Sequence, residues 1–263
     1  MIKYKLTIEY DGTRYSGWQA QQNSRTVQGT ILQATKQLFG NVMEIQGAGR
    51  TDAGVHALAQ VAHIVVPKEL PTKKIQYGIN DLLPSDINIL SVDKVHERFH
   101  ARHSAIGRSY VYQISKRRTA FGKEYVWWIK DELNIQAMKE VAEIFVGMND
   151  FASFADKKLE KGETKCLVES AELEEVDELI LFRIRASHFL WKMVRRIVGT
   201  LIEIGRGNFT KREVEKFLNN HTNEVAECTA PPSGLFLEQI LYKNEKWNDE
   251  LKPTIPIASP RVQ

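Results

Sequence analysis

The feature that most restricts the fold is a regular alternation of apolar and polar residues over the first ten positions. The apolar positions are Ile2, Tyr4, Leu6, Ile8 and Tyr10. Such alternation predicts a strand with one buried face, and the Asp11-Gly12 pair directly after it predicts a turn. A helix is predicted next, because Thr26 can cap it and Gly40 can end it. Residues 61–66 read as a further strand, and this order of elements favours an α+β domain.

A similar pattern begins again near Ser104 and predicts a second domain of similar build. Strands are predicted around residues 110–114, at 126–130, at 179–186 and within GLFLEQILY near the end of the chain. Helices are predicted after Asn134, over FLWKMVRRIVGTLIEIG and after Thr210, where Glu213 completes a capping box. We expect one domain at 1–104 and another at 105–250. The tail 251–263 is expected to be loosely held, because it contains three prolines and little apolar periodicity.

Composition excludes several classes of protein. No apolar run approaches the roughly 20 residues of a membrane-spanning helix, and the N-terminus lacks the apolar core of a signal peptide. A cytoplasmic protein is therefore expected. Cys166 and Cys228 are the only cysteines, which argues against a disulfide framework and against a thiolate zinc site.

The net charge of +3 conceals an uneven distribution of charged residues. Residues 98–123 contain seven basic side chains and no acidic one, whereas residues 169–178 contain six acidic side chains and no basic one. The basic run suits binding to a polyanion. The acidic run is typical of a solvated surface.

Asp52 is the main candidate for a catalytic side chain. It lies in GAGRTDAGVHALAQ among glycines and alanines, where the backbone can turn tightly and come close to a ligand. The alternative is that Asp52 only caps a turn through its own backbone, and spacing alone favours that alternative. Arg50 and His56 lie nearby in the sequence and shift the balance toward a site.

Two further pairs of residues have both a functional and a structural interpretation. Tyr110 and Tyr112 can stack on a nucleobase, or they can simply fill a core. Arg195 and Arg196 can meet a buried carboxylate, or they can snorkel from an apolar helix to the surface.

Three closely spaced histidines raise the question of a metal site. His96, His100 and His103 would share one side of a helix, as metal ligands do, but only Glu97 accompanies them and no metal site is expected. The chain contains no G-x-x-x-x-G-K phosphate loop and no G-x-S-x-G serine elbow, so those enzyme classes are set aside.

Four segments, in order and over most of the chain, resemble the tRNA pseudouridine synthase A (TruA) family. They are GAGRTDAGVHALAQV, FHARHSAIGRSYVYQI, FLWKMVRRIVGTLIEIGRG and APPSGLFL. GRTDAGVHA is highly specific to that family, and NDLLPSDINI fits a further family segment. Two departures occur: His103 replaces an aromatic residue, and HFLWKMVRR replaces the more frequent GFLYNMVRI.

The resemblance implies roles for individual residues. Asp52 would be the catalytic aspartate, Tyr110 the tyrosine that stacks on the target base, and Arg195 the basic partner that keeps the aspartate ionised. The residues expected to bind the substrate are Arg50, His56, Arg102, Arg108 and Lys192. The expected fold is α+β with two domains, each an antiparallel sheet with helices on one face, as in ferredoxin-like or RRM-like halves. The active cleft is expected between the domains.

The implied reaction converts uridine to pseudouridine in the anticodon stem-loop of tRNA, at positions 38, 39 and/or 40, after base flipping. No cofactor is expected, because uracil is detached, rotated and rejoined without redox change. Asp52 can attack the sugar or the base, or take a ribose proton, and the sequence leaves these roles open. The resemblance also implies a homodimer with tRNA as its partner. A non-catalytic RNA-binding protein and an aspartate-dependent hydrolase are weaker alternatives, since Asp52 is present and no second acid or base stands at a suitable spacing.

Overall fold

The computed structural model describes residues 1–156 and 164–259, and these form ten strands and six α-helices. The strands are β1 (Ile2–Tyr10), β2 (Glu44–Gly47), β3 (His56–Val66), β4 (Ile87–Lys94), β5 (Ala105–Ser115), β6 (Trp127–Trp128), β7 (Gly147–Asp150), β8 (Lys165–Val176), β9 (Leu179–Ala186) and β10 (Leu235–Tyr242). The helices are α1 (Val27–Phe39), α2 (Thr72–Asn80), α3 (Ile135–Ala142), α4 (Met193–Gly205), α5 (Lys211–Asn219) and α6 (Glu224–Glu227). The α+β class expected from the sequence is confirmed. No helix in the described part of the chain is long and apolar enough to cross a membrane.

The chain divides into two compact units. The first comprises Met1–Ile106 together with Phe236–Trp247, and the second comprises Gly107–Leu235 together with the segment that follows Trp247. Most of β10 thus belongs to the first unit, where it pairs in parallel with the beginning of β3.

In the first unit, β1 pairs antiparallel with β4 and β3. The other edge of β3 is divided between β2, at residues 62–65, and β10, at residues 56 and 57. The loop that joins β2 to β3, residues 48–55, therefore leaves the sheet beside the place where β10 pairs. This loop contains Asp52.

The local patterns of the first unit are confirmed. Alternate residues of β1 from Tyr4 to Tyr10 are buried, as one buried face requires. The Thr26 side chain accepts the Gly29 N–H at the start of α1, and Gly40 ends that helix with a φ of 79°.

In the second unit, β5, β9, β8 and β7 are neighbours in that order and pair antiparallel. The strand predicted at 126–130 is reduced to the two residues of β6, which pair in parallel with the end of β5. Asn134 caps α3, and Thr210 forms the expected capping box with Glu213 at α5. The long helix predicted over FLWKMVRRIVGTLIEIG begins later than expected, at Met193, because Lys192 has a left-handed backbone with a φ of 63°.

The expectation of a loosely held tail is wrong for residues 251–259, and residues 260–263 lie outside the described residues. The Gln113 side chain accepts the Thr254 N–H at 2.6 Å, and Ile257 is buried in an apolar cluster with Leu179 and Leu181. Just before the tail, Arg183 donates to main-chain carbonyls of residues 249 and 250. An extended segment can pack without apolar periodicity when buried side chains bind its main chain.

Candidate active site

Asp52 lies in a tight turn at the edge of the first sheet, and its side chain is partly buried. Its carbonyl oxygen accepts the Val55 N–H at 3.2 Å, and Gly54 adopts a φ of 77° within the turn. The loop is attached to β3 by the Ala48 N–H, which donates to the Val61 carbonyl at 2.7 Å. Main-chain hydrogen bonds therefore determine the path of the backbone that carries Asp52.

A second loop, residues 11–18 after β1, packs against the Asp52 loop through two glycines. A Cβ atom on Gly12 would lie 2.0 Å from the Val55 carbonyl oxygen. Gly17 has a φ of 90°, and a Cβ there would lie 2.6 Å from the Thr51 carbonyl oxygen. The Trp18 N–H donates to that Thr51 carbonyl at 3.1 Å. The two backbones meet this closely because glycine has no side chain.

Tyr15 connects the second loop to a polar cluster that contains Asp86 and Arg25. Its carbonyl accepts the Gly54 N–H at 3.4 Å, and its hydroxyl donates to the Asp86 carboxylate. Arg25 donates to the same hydroxyl at 2.9 Å. Burial, reinforced by the bond to Asp86, raises the pKa of Tyr15 to about 12. Tyr15 is consequently a neutral support for the Asp52 loop at physiological pH.

Sequence reasoning missed this support, although part of its signal was present. The Asp11-Gly12 pair and the SGW segment place glycines in the loop directly after the first strand. Their partners lie far away in the sequence, since Tyr15 bonds to a carboxylate 71 residues further on. Spacing alone does not reveal such contacts.

Arg50 precedes Asp52 by two residues, and its side chain is exposed. Its Nε donates to Gln19 Oε1 at 3.1 Å. Gln19 in turn donates to Gln28 Oε1 at 2.7 Å, and Gln28 donates to the Ile45 carbonyl at 2.9 Å. This chain of amides orients the Arg50 guanidinium at the exposed surface of the Asp52 loop.

His56 follows the Asp52 loop and is only 1% exposed. Its Nδ1 accepts the Gly12 N–H at 3.1 Å, and its ring stacks on Phe236 with 4.8 Å between the ring centroids. The structure therefore places His56 beneath the surface, between the second loop and β10. Its predicted contact with the substrate stays a prediction.

Tyr110 and Tyr112 lie two residues apart on β5, and both are buried. The Tyr110 ring lies edge to face with Phe189, with 5.0 Å between the centroids. The Tyr112 hydroxyl donates to the Pro231 carbonyl at 2.8 Å. Burial raises the pKa of Tyr112 well above its ordinary value, and the positive charge of Arg195 opposes that rise. The core interpretation holds for Tyr112, while Tyr110 remains a candidate for the site.

Arg195 is oriented by the segment that contains APPSG. Its Nε donates to the Ala230 carbonyl at 2.7 Å, and the Ala230 N–H donates back to the Arg195 carbonyl at 3.0 Å. The approach depends on Gly199 in α4, where a Cβ would lie 1.4 Å from the Cys228 carbonyl oxygen. Two of the segments that resemble the family, FLWKMVRRIVGTLIEIGRG and APPSGLFL, are therefore in contact in the second unit.

Arg196 and Lys192 share the carboxylate of Asp156. Arg196 Nη2 lies 2.6 Å from Asp156 Oδ1, and Lys192 Nζ lies 2.8 Å from Asp156 Oδ2. Arg196 is only 6% exposed and also donates to the carbonyls of Ser153 and Ala155. The bond from Lys192 is the main reason that the pKa of Asp156 is lowered. The surface interpretation of Arg196 is therefore wrong, and Lys192, a predicted substrate contact, already binds a carboxylate.

The basic run of residues 98–123 does not form one uniform phosphate-binding surface. Three of its members bind groups within the protein. Arg108 donates to the Ser187 carbonyl, and Lys116 pairs with the Glu175 carboxylate. Arg117 donates to the Ala258 carbonyl. The side chain of Arg102, a predicted substrate contact, is exposed. Arg102 thus retains surface that a phosphate could reach.

The three histidines of the sequence do not share a helix, because residues 95–104 form turns. The structure instead groups His100 with His63 and Glu44, whose potential ligand atoms lie within 4.8 Å of one another. His63 Nδ1 accepts the Ala101 N–H, and His100 Nδ1 accepts the Arg102 N–H.

A neutral imidazole that accepts through Nδ1 carries its proton on Nε2 and has no lone pair there for a metal ion. Burial lowers the pKa of His63 and the pKa of His100, which favours the neutral rings. Two rings of this tautomer do not fit a metal centre. The buried Nε2 of His63 lies 3.6 Å from Glu44 Oε2 and has no hydrogen-bond partner within the described residues.

Comparison with known proteins identifies the family. A model of the tRNA pseudouridine synthase family matches residues 6–104 and 141–243, ranges that include the Asp52 loop and α4. A crystal structure of an archaeal box H/ACA ribonucleoprotein complex contains a chain with 10% identity and a TM-score of 0.35, covering 86% of this chain and 59% of that chain. That similarity is too low to support a conclusion about function.

Curated relatives are much more similar. tRNA pseudouridine synthase A 2 of Bacillus anthracis is 39% identical over 245 residues, which cover 92% of this chain and all of the relative. tRNA pseudouridine synthase A of Clostridium botulinum is 38% identical over 244 residues, with the same coverage. The chain therefore belongs to the tRNA pseudouridine synthase family.

Proposed function

We propose that this enzyme isomerises uridine to pseudouridine in the anticodon stem-loop of tRNA, at positions 38, 39 and/or 40. The observation that carries the proposal is the family match over residues 6–104 and 141–243, supported by relatives of about 39% identity that are named tRNA pseudouridine synthase A. The anticodon positions are the finer part of the proposal and come from the resemblance of the motifs.

Asp52 is proposed as the catalytic carboxylate. Its loop is positioned by main-chain bonds and by two glycines of the neighbouring loop, so the acid stands on a rigid support. Uracil must leave C1′ of the ribose and rejoin it through carbon, which needs a group that can attack the sugar or base, or take a ribose proton. A carboxylate can perform each of these steps without a cofactor.

Tyr110 and Arg195 are proposed to assist Asp52. Flipping a uridine out of its stack costs a few kcal/mol, and stacking on an aromatic ring recovers about 1–3 kcal/mol. Tyr110 lies between the two matched ranges, so its role rests on the resemblance of its own segment. The planar guanidinium of Arg195, oriented by Ala230, is suited to pairing with a carboxylate.

The remaining predicted contacts divide by their exposure. Arg50 and Arg102 are exposed and are proposed to bind tRNA phosphates. Arg108, Lys192 and His56 already bond to groups of the protein, and we propose that they contact the substrate as well.

A cytoplasmic location and a homodimer complete the proposal. The location follows from tRNA as substrate, and the homodimer follows from the resemblance. Light scattering of the purified protein at micromolar concentration measures the mass of the particle, and a mass of one chain would overturn the dimer.

The function is tested with purified protein and unmodified tRNA transcripts, without added metal ion or nucleotide. We expect pseudouridine to appear in the anticodon stem-loop, with its positions mapped by chemical labelling and primer extension. Transcripts in which uridines 38–40 are replaced by cytidine are the matched control and should stay unmodified. Pseudouridine elsewhere would refute the positions, and none at all would refute the activity.

Tyr110 is tested separately with two substitutions. Tyr110→Phe retains an aromatic ring and loses the hydroxyl, whereas Tyr110→Ala loses both. We expect Tyr110→Ala to lower kcat/KM by at least about tenfold, because stacking is lost, and Tyr110→Phe to show how much of the effect belongs to the hydroxyl. Wild-type activity in both variants would remove Tyr110 from the site.

A further inference from the structure

The loop between β5 and β6 presents an aromatic side chain among basic residues. Phe121 is 87% exposed, and Trp128 at the end of β6 is 40% exposed. The Arg118 guanidinium lies 5.9 Å from the centroid of the Trp128 ring. Exposed aromatic rings beside cations are typical of surfaces that bind unpaired nucleotides.

The main chain at Phe121 is held by hydrogen bonds to the Thr119 side chain. Thr119 Oγ1 accepts the Phe121 N–H at 3.2 Å and donates to the Phe121 carbonyl at 2.7 Å. Gly122 follows with a φ of 69°, and a Cβ there would lie 3.3 Å from Ile255 and from Ile257. The loop therefore rests on the C-terminal segment, and its aromatic ring is presented on a preformed support.

The basic residues of this loop divide into two groups. Lys116 pairs with Glu175, and Arg117 donates to the Ala258 carbonyl. Arg118 and Lys123, by contrast, take part in no ion pair within the described ranges 1–156 and 164–259. Together with Thr119 and Ala120 they line a surface cavity of about 510 Å³. This depression is open to solvent, so an RNA strand on the surface can reach both cations.

We propose that Phe121, Arg118 and Lys123 form an RNA-binding surface, here called the Phe121 surface. Phe121 stacks on an unpaired base, and Arg118 and Lys123 bind the phosphates on either side of it. The identification of the RNA as tRNA rests on the proposed function. The charge favours RNA over an apolar protein contact, because residues 98–123 carry seven basic side chains and no acidic one, and a polyanion neutralises such an excess.

The test measures the affinity of the protein for an unmodified tRNA transcript by filter binding over a range of salt concentrations. Phe121→Leu keeps an apolar side chain but loses the ring, and it should weaken binding by about tenfold. Phe121→Trp keeps a ring and should bind within about threefold of wild type. Replacing both Arg118 and Lys123 by serine should reduce the slope of log K against log salt by about 1.5, as two phosphate contacts require.

Two controls carry the same changes elsewhere on the surface. Tyr77→Leu removes an aromatic ring that is 61% exposed on α2, and serine at both Lys211 and Arg212 removes two exposed charges from α5. Neither control should change the affinity or the salt slope appreciably. Circular dichroism and thermal melting of every variant verify that it is folded.

Each outcome decides between the proposals. The Phe121 surface would be refuted if Phe121→Leu bound tRNA as tightly as wild type. It would also be refuted if Phe121→Leu and the Tyr77→Leu control lost equal amounts of tRNA affinity. Loss of self-association in Phe121→Leu, measured by light scattering with unchanged RNA affinity, would assign the surface to contact between copies of the chain and also overturn it. If wild type forms no pseudouridine but its binding depends on Phe121, the proposed function fails and this surface stands.

Discussion

The loop that carries Asp52 and the start of the helix that carries Arg195 are held by different kinds of interaction. The Asp52 loop contacts its neighbour backbone to backbone, at positions where Gly12 and Gly17 leave no room for a side chain. The start of α4 is attached through charges, with Asp156 bridging Lys192 and the buried Arg196. The first arrangement depends on the absence of side-chain atoms, and the second depends on ionisation.

The two regions should therefore respond differently to added side-chain volume and to the loss of a charge. The Asp52 loop should tolerate changes of pH below the range in which tyrosine ionises, but not added volume, because close-packed backbones cannot move apart cheaply. The start of α4 should be sensitive to the loss of a charge, since an unpaired buried guanidinium is unfavourable.

The largest effect on stability is expected from Gly12→Ala, which tests the close packing of the Asp52 loop. The new Cβ would lie 2.0 Å from the Val55 carbonyl oxygen. We expect the free energy of unfolding in urea to fall by about 2–3 kcal/mol, with loss of pseudouridine formation. Gly49→Ala is the control, because a Cβ there meets no atom within 4 Å, and it should change stability by less than about 0.5 kcal/mol. Equal effects of the two substitutions would refute the packing argument.

A smaller effect is expected from Asp156→Asn, which removes the carboxylate that joins Lys192 and Arg196. At neutral pH the free energy of unfolding should fall by about 1–2 kcal/mol. Because the pKa of Asp156 is lowered in the folded state, its contribution is present at neutral pH and is lost as the pH falls through that lowered pKa. The difference between wild type and variant should therefore shrink below about pH 4.

Asp131→Asn provides the control for Asp156. Asp131 pairs with Arg206, but its side chain is 54% exposed. Loss of an exposed pair should cost less than about 1 kcal/mol. A difference between Asp156→Asn and wild type that stays constant from pH 7 to pH 3 would show that charge does not stabilise the start of α4.

The smallest effect is expected from Tyr15→Phe, which removes the titratable group that supports the Asp52 loop. Loss of its hydroxyl should lower the free energy of unfolding by about 1 kcal/mol at neutral pH. The pKa of Tyr15 is raised to about 12 in the folded protein, so wild type should lose stability as the pH rises from about 10 toward 12. Tyr15→Phe should not show the loss of stability that Tyr15 causes at alkaline pH, whereas Tyr77→Phe should show it as wild type does. Identical alkaline curves for wild type and Tyr15→Phe would contradict a neutral, buried Tyr15.

Elements whose signals are local could be predicted from the sequence. The β1 alternation, the Thr26 and Gly40 boundaries of α1 and the capping box of α5 all depend on residues within a few positions of one another. The α4 start could not be predicted, because apolar spacing continues through residues 189–191 while Lys192 adopts a left-handed backbone. Tertiary contacts, including the Asp156 carboxylate, override the local pattern there.

The candidate residues could be named from the sequence, and their roles stay predictions, but the contacts that support them could not be predicted. The glycines around Asp52 indicated a loop that approaches a ligand, whereas the contact of Gly12 with Val55 joins positions 43 residues apart. The ordered tail was missed for the same reason, since Thr254 binds a glutamine 141 residues earlier. Such contacts exist only after the chain has folded, and no spacing rule encodes them.

The most direct test of catalysis by Asp52 is the rate of pseudouridine formation in a single turnover, with protein in excess over a tRNA transcript. Asp52→Asn preserves the size of the side chain and removes its charge, and Asp93→Asn does the same at an exposed position on β4. We expect Asp93→Asn to match wild type, and Asp52→Asn to form no pseudouridine while binding tRNA within about tenfold of wild type. Turnover by Asp52→Asn comparable to that of wild type would contradict the catalytic role of this carboxylate.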